Sequence, residues 1–191
     1  MSPDRFLDRA MIERAFASLA VRLQRRNLTC RVYLFGGGAM VMAFEGRPAT
    51  RDLDARYTST SAVQEEVSAV AEEMGMPRSW LNEQGVVYLP QLDDPAPFAV
   101  FDHPNLTVTR ASDRHLLAMK AGAARAIQDE DDIVALMGRL GITSVEGVVE
   151  VHDEVFPDEP LPPRALDLLG QIVSERWGSE AGCDLGKLPG R

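Results

Sequence analysis

The sequence predicts an α/β (α+β) fold, a small mixed sheet with helices followed by a C-terminal helical lobe. Three observations predict it. The apolar run Val32 to Phe35 leads into Gly36-Gly37-Gly38 and then into the helix-forming stretch Ala39 to Phe44, which reads as strand, turn and helix. Short segments with strand patterning recur as far as Thr109. From Ser112 onward only helical spacing remains. Residues 1–111 are therefore expected to hold the sheet and an N-terminal helix, 112–178 a helical lobe, and 179–191 a flexible tail of glycine, proline and small residues.

Each element has its own signal. Phe6, Leu7, Ala10, Phe16, Leu19 and Leu23 recur near helical spacing from Pro3 to Arg26, with Ser2 or Asp4 as caps and Arg22, Arg25 and Arg26 in the last turn. A turn at Glu45 to Ala49 follows the glycine helix, and Thr50 to Asp54 reads as extended. Thr60 to Met74 turns Val63, Val67, Val70, Ala71 and Met74 inward and ends at Gly75 and Pro77. Val86 to Leu89 is expected to be a short strand, Asp93-Asp94-Pro95 a turn, and Phe98 to Phe101 and Leu106 to Thr109 further strands. Ser112 caps a helix to about Ile127, and the next, closed by Gly141, has Ile133, Leu136, Met137 and Leu140 inside. Thr143 to Glu146 reads as a capping box opening a helix through Val155. Past a proline-rich connector, Arg164 to Trp177 forms the last amphipathic helix.

Composition bounds the function. With 191 residues, 45% of them hydrophobic, the chain can build one core or a compact pair of lobes. No apolar run approaches the ~20 residues of a membrane span, and the charged start is no leader, so a cytoplasmic protein without a membrane partner is expected. Cys30 and Cys183 form no Cys-x-x-Cys, and the three histidines are scattered, which argues against zinc and disulfide frameworks. The net charge of −9 is unevenly spread. Up to Gln128 there are 15 acids and 15 bases, and from Asp129 on 14 acids and 5 bases. A basic groove near the first motifs therefore remains open to a nucleic acid.

The chemistry is concentrated between Val32 and Tyr57. Three glycines after a strand free the backbone to turn, and the unpaired N–H groups of the following helix would face a phosphate. Asp52 and Asp54, two apart in an extended segment, leave the same face, while Arg51 and Leu53 leave the other. Two such carboxylates, with substrate phosphates, are a usual Mg²⁺ site. A triphosphate on the turn and metal on the aspartates point to nucleotidyl transfer. Asp102, before the His103-Pro104-Asn105 break, reads by itself as turn chemistry.

Gly36-Gly37-Gly38-Ala39-Met40, followed by Arg47-x-x-Thr50-x-Asp52-x-Asp54, resembles the glycine turn and Asp-x-Asp signature of the polymerase-β-like nucleotidyltransferases, most closely the AbiEii/MenT group of small bacterial toxins. A second block, Leu116 to Lys120, Ala124-Arg125, Asp129 and Asp132-Ile133, is similar to the same group. The resemblance implies that Mg²⁺ (or Mn²⁺) sits on Asp52 and Asp54 and that Gly36, Gly37, Gly38, Arg47, Thr50 and Lys120 bind a nucleoside triphosphate. Lys120 is one of only two lysines among eighteen arginines, and an ammonium is a compact charge suited to phosphates. Asp132 is implied to orient Lys120 or to take the proton of the attacking hydroxyl, and Asp129 to pair with Arg125. The family often carries a third carboxylate on a strand beside the pair, and Asp102 is the only acid placed near such a strand.

The implied activity is transfer of a nucleoside monophosphate to an RNA hydroxyl, the 3′ end of tRNA, by the toxin of a toxin–antitoxin pair. A cognate antitoxin is then a partner, and a phosphate on Thr50 would silence the site by repelling the triphosphate. The same core could instead serve a small-molecule acceptor such as an aminoglycoside, which the acidic last third suits, or act without catalysis as a nucleotide- or partner-binding module.

Overall fold

The structure, a computed structural model, describes residues 6–47, 49–123 and 126–178; the predicted tail, the Ser2 and Asp4 caps, and Arg125 lie outside the described residues. The protein is a mixed α/β structure with, among those residues, five strands in one sheet and seven α-helices. Its elements are α1 (Arg9–Arg25), β1 (Cys30–Leu34), α2 (Gly36–Ala43), β2 (Leu53–Tyr57), α3 (Ser61–Met74), β3 (Leu81–Asn82), β4 (Phe98–His103), β5 (Leu106–Arg110), α4 (Asp113–Ala123), α5 (Ala126–Leu140), α6 (Val145–Val155) and α7 (Pro163–Arg176). Two compact units divide the chain, Met1–Leu116 and Leu117–Arg191.

The first unit contains the sheet, in the order β3-β2-β1-β5-β4. β1 runs antiparallel to β2 and parallel to β5, which makes the sheet mixed. Strand alternation divides its residues cleanly: Val32, Leu34, Leu53, Ala55, Leu106 and Val108 are buried. α1 packs with α3, and its Phe16 ring meets Trp80 and Phe101 at centroid distances of 6.2 and 6.1 Å. Trp80 is fully buried and satisfies its indole by donating to the Val67 carbonyl at 3.0 Å.

Helix ends show which local signals prevailed. α1 is capped by Asp8, whose carboxylate accepts from the Met11 amide at 2.7 Å. Arg22 and Arg26, basic residues of a last turn, reach across to α3 and donate to Glu66 at 2.9 and 2.7 Å. α3 begins at Thr60 and ends at Gly75, φ +64, as its sequence predicts. Val86 to Leu89 is not a strand. Gln84–Tyr88 forms a 3₁₀ turn that leaves Val87 80% and Tyr88 76% exposed, so the apolar run has no buried face to alternate with.

In the second unit the cap of α6 is Ser144, which accepts from the Gly147 amide at 3.1 Å, one residue later than the predicted box. α7 opens with Pro163 in its first turn, where the missing N–H costs nothing. Gly141, φ +68, follows α5. Among the described residues no helix is long and apolar enough to cross a membrane.

Candidate functional site

β1 delivers the chain to the glycines. Phe35 is extended, and Gly36 then turns at φ +61, a left-handed conformation that disfavours any side chain. α2 starts there with no side-chain hydrogen bond at its N-cap, and at its other end the Arg9 guanidinium donates to the Met42 carbonyl at 2.6 Å. A cation at the C-terminus leaves the positive end of the helix dipole for an anion.

The two halves of the motif interlock. A Cβ on Gly36 would stand 3.1 Å from Asp54 Oδ2, on Gly37 3.0 Å from Thr50 Oγ1, and on Gly38 2.6 Å from Leu53 Cδ2. Each missing side chain is thus the space taken by a residue of Thr50 to Asp54. The glycines serve close packing on their Cα side. Their N–H groups serve the helix start. The register is held by the Phe35 amide, which donates to the Asp54 carbonyl at 3.1 Å, and by the Leu53 amide, which donates to the Trp80 carbonyl at 2.7 Å.

Asp52 and Asp54 are half-buried, while Leu53 and Ala55 between and after them are buried, so the pair shares the face opposite the core. Thr50 bridges to Leu7 through both backbone groups, at 2.6 and 3.0 Å, and its hydroxyl donates to the Asp52 carbonyl at 3.1 Å. Arg47 is half-buried in the connection between α2 and β2. On the other side of β2, β3 runs parallel with Asn82 opposite Asp54. The Asn82 amide donates to Asp52 Oδ2 at 3.2 Å. A Cβ on Gly85 would stand 2.7 Å from the Phe35 ring and 3.2 Å from Asp54 Oδ1, so the 3₁₀ turn closes directly against the carboxylate.

Asn82 and Gly85 are the site residues that the sequence did not yield. A two-residue strand is too short to show alternation, and the apolar run after Gly85 resembled a strand of its own. Asp102 lies on β4, exposed and paired with Thr107, with β1 and β5 between it and β2. It is not a third carboxylate beside the pair. Among the described residues no group of three or more acids, histidines or cysteines could hold a metal. The donors present, two carboxylates beside a helix start, fit Mg²⁺ bound partly by substrate phosphates and do not form an all-protein cage.

The second unit contains the other predicted residues. Lys120, only 7% exposed, donates to Asp129 Oδ1 at 2.6 Å and approaches Asp132 Oδ2 at 2.9 Å. Both carboxylates are fully buried. Asp129 contacts Lys120, and the implied pairing of Asp129 with Arg125 falls on a residue outside the described ones. Asp132 contacts the same ammonium, and both roles implied for it stay open. The ammonium has three N–H donors, of which two face carboxylates.

A Ser/His/Asp cluster lies in the first unit, yet it is not a nucleophilic triad. Ser112 Oγ is 3.2 Å and Asp94 Oδ1 3.5 Å from the same His115 nitrogen, Nδ1, whereas a relay needs the two on opposite nitrogens. Asp94 instead accepts from the Ser112 amide at 2.7 Å, the Ala96 amide at 3.1 Å and the Tyr33 hydroxyl at 3.0 Å, tying a loop to β1 and to the start of α4. Burial and the Asp94 charge push the Tyr33 phenol up, and burial raises the Cys30 thiol to about 11, so neither is an activated nucleophile. No known protein family, curated protein or solved structure matches this chain.

Proposed function

We propose that this protein is a metal-dependent nucleotidyltransferase that moves a nucleoside monophosphate from its triphosphate to an RNA hydroxyl, the 3′ end of tRNA, as the toxin of a toxin–antitoxin pair. One observation carries the reading: the Asp54 carboxylate stands against the first glycine of the turn, with Gly36 Cβ space 3.1 Å from Oδ2. Anion-binding N–H groups and cation-binding oxygens are neighbours, and a triphosphate with its counter-ion needs that pairing. Asp52 and Asp54 would hold Mg²⁺ or Mn²⁺, which when bound neutralises phosphate charge and lowers the cost of displacing pyrophosphate.

In this reading the amides of Gly36 to Gly38 take the phosphates, and Thr50, whose hydroxyl is already fixed on the Asp52 carbonyl, keeps the approach to the turn narrow. Lys120 is a nucleotide-binding residue on the motif resemblance alone; within its own unit it is held by Asp129 and Asp132. The acceptor hydroxyl releases its proton to water as its oxygen bonds to the α-phosphorus and the bond to pyrophosphate breaks. The toxin role and the antitoxin partner rest on the motif resemblance alone.

A small-molecule acceptor is the second reading, favoured by the 14 acids against 5 bases from Asp129 on, a surplus that suits a cationic substrate. One experiment separates the two. Purified protein is incubated with Mg²⁺, each α-³²P-labelled nucleoside triphosphate, and either total tRNA or an aminoglycoside, beside an Asp52→Ala/Asp54→Ala control. Label on tRNA that vanishes in the control supports the first reading. Label on the aminoglycoside alone supports the second, and label on neither refutes both.

A further inference from the structure

Asn82 makes a side-chain hydrogen bond to the aspartate pair, and no motif contains it. The side chain is 8% exposed. Its Nδ2 donates to Asp52 Oδ2 at 3.2 Å and to the Ser79 carbonyl at 3.3 Å, while its Oδ1 accepts from the Gln84 amide at 2.9 Å. Only one orientation of the amide satisfies all three partners, because the reverse would set a carbonyl against two acceptors and an NH₂ against a donor. Asn82 is therefore locked. The donor facing Asp52 is fixed by the same Asx-type turn that begins the 3₁₀ turn carrying Gly85, which in turn packs against Asp54 Oδ1.

Resting on the reading of Asp52 and Asp54 as a metal-holding pair, we infer that Asn82 is a positioning residue for that pair. It fixes the rotation of the Asp52 carboxylate by occupying Oδ2, which leaves Oδ1 as the oxygen to face a cation. It also places N–H dipoles beside two like charges on one strand face and so reduces their repulsion when no cation is bound. Ligating carboxylates are commonly hydrogen-bonded in this way, and losing such a partner costs about 10- to 100-fold in metal affinity.

The backbone role and the positioning role can be separated by substitution. Asn82→Asp is isosteric and keeps an oxygen to accept from Gln84, yet it turns an acceptor toward Asp52. Asn82→Ser keeps a turn-forming acceptor on a shorter side chain and removes the donor. The probe is Mn²⁺ alone, titrated by electron paramagnetic resonance, with melting temperature recorded with and without Mn²⁺. Wild type and the Asp52→Ala/Asp54→Ala variant are run alongside.

The expected result is Mn²⁺ binding about tenfold or more weaker in Asn82→Ser. For Asn82→Asp the metal-free melting temperature falls, and Mn²⁺ raises it by more than in wild type, because three converging carboxylates need the cation. Wild-type affinity and wild-type Mn²⁺ response in both variants would overturn the inference while leaving the metal pair intact. Mn²⁺ binding by wild type that survives loss of both aspartates would overturn the metal pair itself, and the inference with it.

Discussion

Replacing Gly36 by alanine tests the interlock of turn and aspartate, and Gly46 supplies its control. Both glycines have positive φ, +61 and +76. An L-residue in the left-handed region costs about 1–2 kcal/mol. Alanine's smaller unfolded-state entropy offsets about 0.4–1 kcal/mol of that. Each variant should thus lose about 1 kcal/mol of stability. They differ in surroundings: a Cβ at Gly46 meets nothing within 4 Å, while at Gly36 it stands 3.1 Å from Asp54 Oδ2, which must give by a few tenths of an ångström. Misplacement by about 1 Å near reacting atoms costs on the order of 100-fold in rate, so a third of that costs about fourfold. Urea unfolding measures the first effect, and label transfer per folded molecule the second. The expected pattern is equal stability loss in the two variants, with the rate reduced in Gly36→Ala only. Equal rates in both variants would refute the interlock, and wild-type stability in Gly36→Ala would refute the left-handed turn.

Lys120→Met should lower stability by a few kcal/mol in urea unfolding, roughly the cost of removing one member of a buried ion pair, because the ammonium contacts Asp129 at 2.6 Å and Asp132 at 2.9 Å; wild-type stability would refute a stabilising role for the contact. Thr50→Glu should abolish transfer while Thr50→Ser keeps it, since the hydroxyl lies 3.0 Å from the Cβ space of Gly37; full activity of the glutamate variant would end the idea of control by phosphate there. Two groups set separate acid windows. Burial lowers the His152 pKa, so below about pH 6.5 the unfolded chain takes a proton that the folded one refuses, and stability falls until the folded pKa is passed. Hydrogen bonds from Arg26, and also from Arg22, lower the Glu66 pKa, so its contribution is complete above about pH 4.3 and is lost as pH falls through the folded value. Melting temperature against pH should therefore lose its upper step in His152→Gln and its lower step in Glu66→Gln, and an unchanged profile in either would refute that assignment.

The parts of the fold legible in the sequence are those where local chemistry and packing agree. β1, the glycine turn and α2 follow one another without competition, and β2 alternates a half-buried aspartate with buried Leu53 and Ala55. Gly75 ends α3 because a left-handed C-cap has few other candidates. The misreadings have both tertiary and local causes. Val86 to Leu89 looks apolar enough for a strand, yet Gly85 must sit against the Phe35 ring, and the chain there curls into a 3₁₀ turn. Asp8 caps α1, a local contact that the amphipathic run beginning at Pro3 concealed. At α6, Thr143 and Ser144 both satisfy capping chemistry, and only the helix start decides between them.

The candidate site was half legible for the same reason. Glycines and aspartates close in sequence announce themselves by spacing. Asn82 lies thirty positions from Asp52 and acts through a pairing of two residues, which no periodicity reveals. Lys120 stood out by rarity, and of the two carboxylates it contacts, Asp132 was implied by the resemblance while Asp129, nine positions along the chain, was not. Asp102 shows the converse. Its strand was expected and is present, and the order of the sheet removes it from β2.

Nucleotidyl transfer is tested most directly by asking which phosphate moves. tRNA is incubated with the protein and a nucleoside triphosphate labelled at the α- or the γ-phosphate, and the label is located. The account predicts α-label on the tRNA, γ-label released as pyrophosphate, and neither with Asp52→Ala/Asp54→Ala. Label reaching tRNA from the γ-position, or transfer that persists without the two aspartates, would contradict it.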